Sequence, residues 1–189
     1  MKIQVGVSNR HIHLTKEAYQ ILCGDKELEE LRPINQPGMF VTTDIFTIKT
    51  DKAEIPKVRL LGPLRDYNQI EISRTDAYKL GLNPPVRTSG DVEGSSPITI
   101  IGPNGELHLD EGCIIADRHI HVTEDMKKFY HLEGKNKVNV LVKGEKGGIM
   151  FNVDLKVSEE AYFEMHIDTD DANAFMLKQG DIVEIIEDK

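Results

Sequence analysis

Two six-residue segments concentrate the side chains best able to do chemistry, Arg10-His11-Ile12-His13-Leu14-Thr15 and Arg118-His119-Ile120-His121-Val122-Thr123. In an extended strand residues i and i+2 share a face, so His11 and His13 present their imidazoles side by side, as do His119 and His121. Such pairs chelate. Imidazole suits zinc, copper, iron and nickel, and a catalytic zinc commonly takes three protein ligands and leaves a position for water or substrate. Each pair could hold one metal if a third ligand joins it. His166 in Met165-His166-Ile167-Asp168 and Glu71 in Gln69-Ile70-Glu71-Ile72 are the candidates. One His-x-His is equally well two half-exposed strand histidines with no metal; a second copy with the same Arg and Thr flanks favours the metal. His108 and His131 lack that context and read as surface or turn residues.

An anion site is the next candidate. Arg65 follows a Gly62-Pro63 turn a few residues before Glu71, and a guanidinium fork matches phosphate oxygens. Spacing alone leaves open the alternative of a surface arginine paired with Asp66. The glycine-rich pieces Gly144-Glu145-Lys146-Gly147-Gly148 and Ser89-Gly90-Asp91 fit neither phosphate-loop nor dinucleotide fingerprints and read as hairpin turns.

The elements that must position these groups are mostly short strands. Runs rich in Val, Ile and Thr, bounded by Gly, Pro, Asn or Asp, predict strands at Ile3 to Val7, Phe40 to Thr50, Lys57 to Leu61, Ile70 to Ser73, Ile98 to Ile101, Gly112 to Ala116, Lys137 to Lys143, Ile149 to Val157 and Ile182 to Ile186. Brief helices are expected after Thr15, from Thr75 to Leu80, after Thr123, and from Asp170 towards Gly180. The His-x-His segment and its following helix recur in the second half, and Thr75-Asp76-Ala77 is echoed by Thr169-Asp170-Asp171-Ala172, so two related units are expected. Pro84 to Pro97 reads as a loop.

Composition narrows the field. With 189 residues, 39% hydrophobic and 29% charged, the chain suits one sizeable core or two small ones, and its net charge of −9 disfavours nucleic acid and anionic membrane as partners. Strand patterning begins at the N-terminus, so no signal peptide is expected, and no run reaches transmembrane length. Cys23 and Cys113 are too few for a disulfide framework and suggest a reduced, cytoplasmic setting.

Taken together, Val5 to Thr15, Gly62-Pro63-Leu64-Arg65 with Gln69 to Ser73, Pro84 to Asp91, and Ala116 to His121 resemble the phosphate propanoyltransferases, the propanediol-utilisation type of phosphotransacylase, over essentially the whole chain. The resemblance implies a mainly β fold of two small β-barrels with short capping helices, the second inserted into the first. Residues 1–9 with 117–189 would form one barrel and 10–116 the other. It implies reversible transfer of a propanoyl or acetyl group between coenzyme A and inorganic phosphate at a two-metal, usually zinc, site at the barrel junction, by a homodimer. His11, His13 and Glu71 then match the ligands of one ion, and His119, His121 and His166 those of the other. Arg65 matches the catalytic, phosphate-binding arginine, and Val7, Ser8, Asn9, Lys52, Arg59 and Asn173 fall where the family contacts coenzyme A. Members housed in microcompartments often carry an amphipathic N-terminal extension, which is absent here, so a cytoplasmic role is expected. Direct attack by phosphate on the acyl carbon is the expected chemistry, without an acyl-cysteine. A two-metal thioester hydrolase would share the His-x-His pairs but release free acid without needing phosphate, and a non-enzymatic zinc scaffold would not require Arg65 so near Glu71.

Overall fold

Ile3 and Val5 alternate with Lys2 and Gln4 along strand β1 (Lys2–Ser8) and enter a core, as the two-residue period of a strand requires. The computed structural model describes residues 1–186. It divides into a first unit, Met1–Ser8 with the chain from Asp117 onward, and a second, Asn9–Ala116. After β1 the chain builds the second unit: β2 (His11–His13), α1 (Lys16–Cys23), β3 (Glu30–Pro33), β4 (Phe40–Lys49), β5 (Glu54–Gly62), β6 (Gln69–Glu71), α2 (Arg74–Leu80), β7 (Val86–Arg87), β8 (Ser96–Ile101) and β9 (Glu106–Ala116). It then completes the first unit with β10 (His119–Val122), α3 (Glu124–Phe129), β11 (Lys137–Val142), β12 (Gly148–Val157), β13 (Glu164–Asp168), α4 (Thr169–Phe175) and β14 (Ile182–Ile186).

Both units are closed six-stranded barrels. In the first the order is β1-β13-β10-β12-β11-β14, closed by antiparallel pairing of β14 with β1. In the second, β4-β5-β2-β6-β9-β8 closes through β8 onto β4, while β3 and β7 pair on the outside with β4 and β9. Pairing senses agree around the two rings. Strand β2 runs parallel to β5 and antiparallel to β6, as β10 does to β12 and β13. Likewise β6 is parallel to β9, and β13 to β1. The fold is therefore mainly β with two barrels, as the sequence predicts, and the internal repeat is a repeat of barrels.

Each barrel is filled from its own strands. Ile12, Ile48, Leu60, Ile70 and Ile98 are buried in the second, and Val5, Ile120, Val140, Val153 and Met165 in the first. Because Ile12 and Ile120 point into these cores, the flanking histidines must face the other way. Among the described residues, all four helices begin on a side-chain cap. Thr15 accepts from the Ala18 N–H, Ser73 from Asp76, Thr123 from Met126 and Asp168 from Asp171.

Three local expectations are corrected. Helix α4 does not run to Gly180 but stops at Phe175, with Met176 in the left-handed conformation at φ 53°. The Pro84 to Pro97 segment contains β7, held parallel to β9, and so is not wholly loop. Ser89-Gly90-Asp91 is not a hairpin turn, because the strands it separates, β7 and β8, pair with β9 and not with each other. Gly144 to Gly148 does join a hairpin, β11 to β12.

Candidate metal sites and anion-binding arginine

The ladder between β2 and β6 sets His11 directly opposite Glu71, so the third donor of the second unit is chosen by strand register. His11 Nε2 lies 3.3 Å from Glu71 Oε2, and His13 Nε2 lies 4.0 Å from Oε1. All three residues are buried and their donor atoms lie within 4.8 Å of one another. In the first unit the ladder between β10 and β13 sets His119 opposite His166, the same position in the other barrel. His119 Nε2 is 3.1 Å from His121 Nε2, which is 3.3 Å from His166 Nδ1. A tetrahedral zinc with nitrogen ligands at about 2.0–2.1 Å has ligand-to-ligand edges of about 3.3 Å. The His119–His121 and His121–His166 nitrogen pairs stand close to that spacing.

The surroundings fix the tautomers and charge of these rings. His11 Nδ1 lies 2.9 Å from the Asn9 carbonyl and His119 Nδ1 lies 2.8 Å from the Asp117 carbonyl, contacts that place the ring proton on Nδ1 and leave Nε2 with a lone pair. Burial, followed by the neighbouring His11, pushes His13 down to about 3, so its imidazole is neutral. Burial also opposes charge on His11, but the Glu71 carboxylate outweighs it and raises that group. The donor sets, two imidazoles with a carboxylate and three imidazoles, fit a divalent transition metal.

The rest of the repeated segment has structural work. Arg10 makes a fork onto the buried Asp76 carboxylate, with Nε at 2.7 Å and Nη2 at 2.8 Å. Arg118 Nη1 reaches Asp171 at 3.2 Å. Asp76 and Asp171 are the third residues of α2 and α4, the helices that follow the third-donor strands. The arginine thus ties the His-x-His strand to the helix beyond the third donor. Sequence reasoning missed this role, although the Asp-Ala echo between the two halves marks the very aspartates concerned.

Arg65 is fixed by its backbone N–H to the Leu14 carbonyl. Its Nη1 donates to the Tyr67 hydroxyl at 3.2 Å and its Nη2 lies 2.9 Å from Met39 Sδ. Asp66 is exposed. The buried Arg65 Nε has no hydrogen-bond partner, and the guanidinium charge disfavours protonation of His11 and His13. A cation with an unused donor beside the His11-His13-Glu71 triad is suited to an oxyanion.

The remaining candidates are dispersed. Val7 and Ser8 end β1, where Ser8 pairs with Asp168 just before α4, the helix that carries the exposed Asn173. The Val7 N–H donates to Gln179 Oε1. Asn9 Oδ1 accepts from the Arg10 N–H. Lys52 lies in the β4–β5 turn, its Nζ 5.2 Å from the centre of the Tyr78 ring. Arg59 is in register with His11 and donates to the Thr42 carbonyl at 3.0 Å. Six residues of β5 and its turn, roughly 20 Å of extended chain, separate Lys52 from Arg59. His108 and the left-handed His131 are exposed and belong to neither triad.

Each six-stranded barrel thus presents, at equivalent ladder positions, a triad of side chains that could hold a metal ion. A family model described as phosphate propanoyltransferase matches residues 4–178. Phosphate propanoyltransferase of Thermotoga maritima is 47% identical over 187 residues, 98% of this chain and 89% of its own. That of Rhodopseudomonas palustris is 42% identical, covering 97% of this chain and 82% of its own, and that of Lachnoclostridium phytofermentans 41%, covering 97% and 87%. The chain belongs to the phosphate propanoyltransferase family and is a phosphate acyltransferase.

Proposed function

We propose that this enzyme reversibly transfers a short acyl group, propanoyl or acetyl, between coenzyme A and inorganic phosphate, with zinc held by His11, His13 and Glu71 and by His119, His121 and His166. The observation that carries the proposal is the placement of Glu71 and His166 at the same ladder position beside two His-x-His strands, in a chain that the family model matches from residue 4 to 178. Bound zinc supplies Lewis-acid stabilisation of negative charge at the acyl and phosphate oxygens.

Arg65 binds and orients phosphate through its fork, including the unused Nε. A phosphate oxygen attacks the thioester carbonyl carbon, a carbon–oxygen bond forms, and the carbon–sulfur bond breaks to release the coenzyme A thiolate. No protein nucleophile takes part. Burial pushes the Cys113 thiol up to about 12 and raises Cys23 as well, which keeps both as unreactive thiols. Val7, Ser8, Asn9, Lys52, Arg59 and Asn173 are proposed to contact coenzyme A, with Lys52 and Arg59 supplying positive charge.

The test is thioester loss from acyl-coenzyme A, followed by absorbance with and without phosphate. Phosphate-dependent loss with acyl phosphate as product is expected. Phosphate-independent release of free acid would instead mark a hydrolase and overturn the proposal.

A further inference from the structure

Behind each third donor lies a buried residue that the proposed chemistry does not use. Gln69 stands two residues before Glu71 on β6, and Glu164 two residues before His166 on β13, so each shares a strand face with its donor. Their exposures are 0% and 3%. Since His11 faces Glu71 and His119 faces His166 in the two ladders, Gln69 and Glu164 occupy equivalent places.

The two contacts have opposite polarity. Gly90 N–H can only donate, and it lies 2.7 Å from Gln69 Oε1, so the amide oxygen must face Gly90. The Gln69 NH2 group then donates to Glu71 Oε1 at 2.6 Å and to Ser89 Oγ at 2.9 Å. Held this way, Gln69 can offer that Glu71 oxygen only an N–H group, which fixes where the carboxylate sits. Glu164 does the reverse. Its Oε2 lies 2.9 Å from His166 Nε2 and accepts that ring proton, leaving the Nδ1 lone pair on the side of His121. Gly6 leaves room for this pair, because a Cβ there would stand 2.7 Å from His166 Cδ2 and 3.1 Å from the Glu164 carboxyl carbon.

We infer that Gln69 and Glu164 are matched positioning residues of the two metal sites, one a donor that orients a carboxylate ligand, the other an acceptor that fixes the tautomer of an imidazole ligand. Each site therefore has one carboxylate, as ligand in the second unit and behind the ligand in the first. The Ser89-Gly90 segment, which no step of the proposed reaction uses, sets the orientation of the Gln69 amide. This inference rests on the metal-binding reading of the triads.

The test is metal content per chain after dialysis against graded chelator, for the full-length enzyme and for Gln69→Leu, Glu164→Leu and Glu164→Gln, with folding checked by circular dichroism. Wild type should retain two equivalents. Gln69→Leu and Glu164→Leu should each hold one of the two about 10- to 100-fold more weakly, whereas Glu164→Gln, whose amide oxygen still accepts, should stay nearer to wild type. If the folded leucine variants hold both equivalents as wild type does, or if Glu164→Gln is as weak as Glu164→Leu, the inference is overturned. A wild type that takes up no metal would instead overturn the underlying metal reading. Should Gln69→Leu fail to fold, the two Glu164 variants still decide the matter.

Discussion

Arg65 is a cation whose neighbours leave part of its fork unused, a buried arrangement suited to an incoming anion. Arg65→Ala is expected to lower the phosphate-dependent rate by at least about 100-fold, the usual loss when a charge-stabilising group leaves an active site. Metal content should stay near wild type, since Arg65 supplies no ligand; an unchanged rate would remove Arg65 from the mechanism. At Gly6 the same scale of reasoning is steric. Gly6→Ala would push a methyl against the His166 ring and the Glu164 carboxylate. We expect a loss of about 1–3 kcal/mol, the typical cost of overpacking, together with weaker retention of one metal equivalent. Thermal melting and metal analysis of that variant would expose the error if both were unchanged.

The elements explain why the repeated motif is longer than a chelating pair. Thr15 and Thr123 cap the helices that follow, the histidines face away from the barrel cores, and the arginine fastens the strand to a second helix. The two arginine contacts are unequal. Asp76 is 7% exposed and receives a two-point fork, whereas Arg118 and Asp171 are 28% and 30% exposed and meet at one 3.2 Å contact. Arg10→Ala strands a buried carboxylate and should cost about 2–4 kcal/mol, while Arg118→Ala should cost about 1 kcal/mol or less. Denaturant melts of the two variants check the order, and equal losses would show that burial is not what distinguishes them.

At the scale of the whole molecule, the proposed metal binding would be coupled to folding. Strand β1 closes the first barrel by pairing with β13 and β14 from the far end of the chain, so the His119-His121-His166 triad is assembled only when that barrel is complete. A ligand that binds the folded state alone raises its stability. Removing metal with chelator is therefore expected to lower the melting temperature, and restoring zinc to reverse the change; a melt insensitive to both would count against metal at the triads. Among the described residues no helix is long and apolar enough to cross a membrane.

Much of this was legible in the amino-acid order because the signals are local. Alternating Val and Ile marked the barrel strands, Thr15 and Thr123 announced helix starts, and two copies of Arg-His-Ile-His announced both chelating pairs and a doubled fold. Other features were not local. Strand β3, Glu30–Pro33, is exposed along its whole length and has no alternation to detect; it exists because β4 offers it an edge. Strand β7 hides in a proline-rich stretch and is held by β9. By its residue types alone the sequence determined the paired histidines, the candidate third donors Glu71 and His166, and Arg65. Residue types left open which donor completes which pair and only the family resemblance suggested the grouping; the tertiary structure brings Glu71 to His11 and His166 to His119 by ladder register between separate strands, and register also set Gln69 and Glu164 behind them.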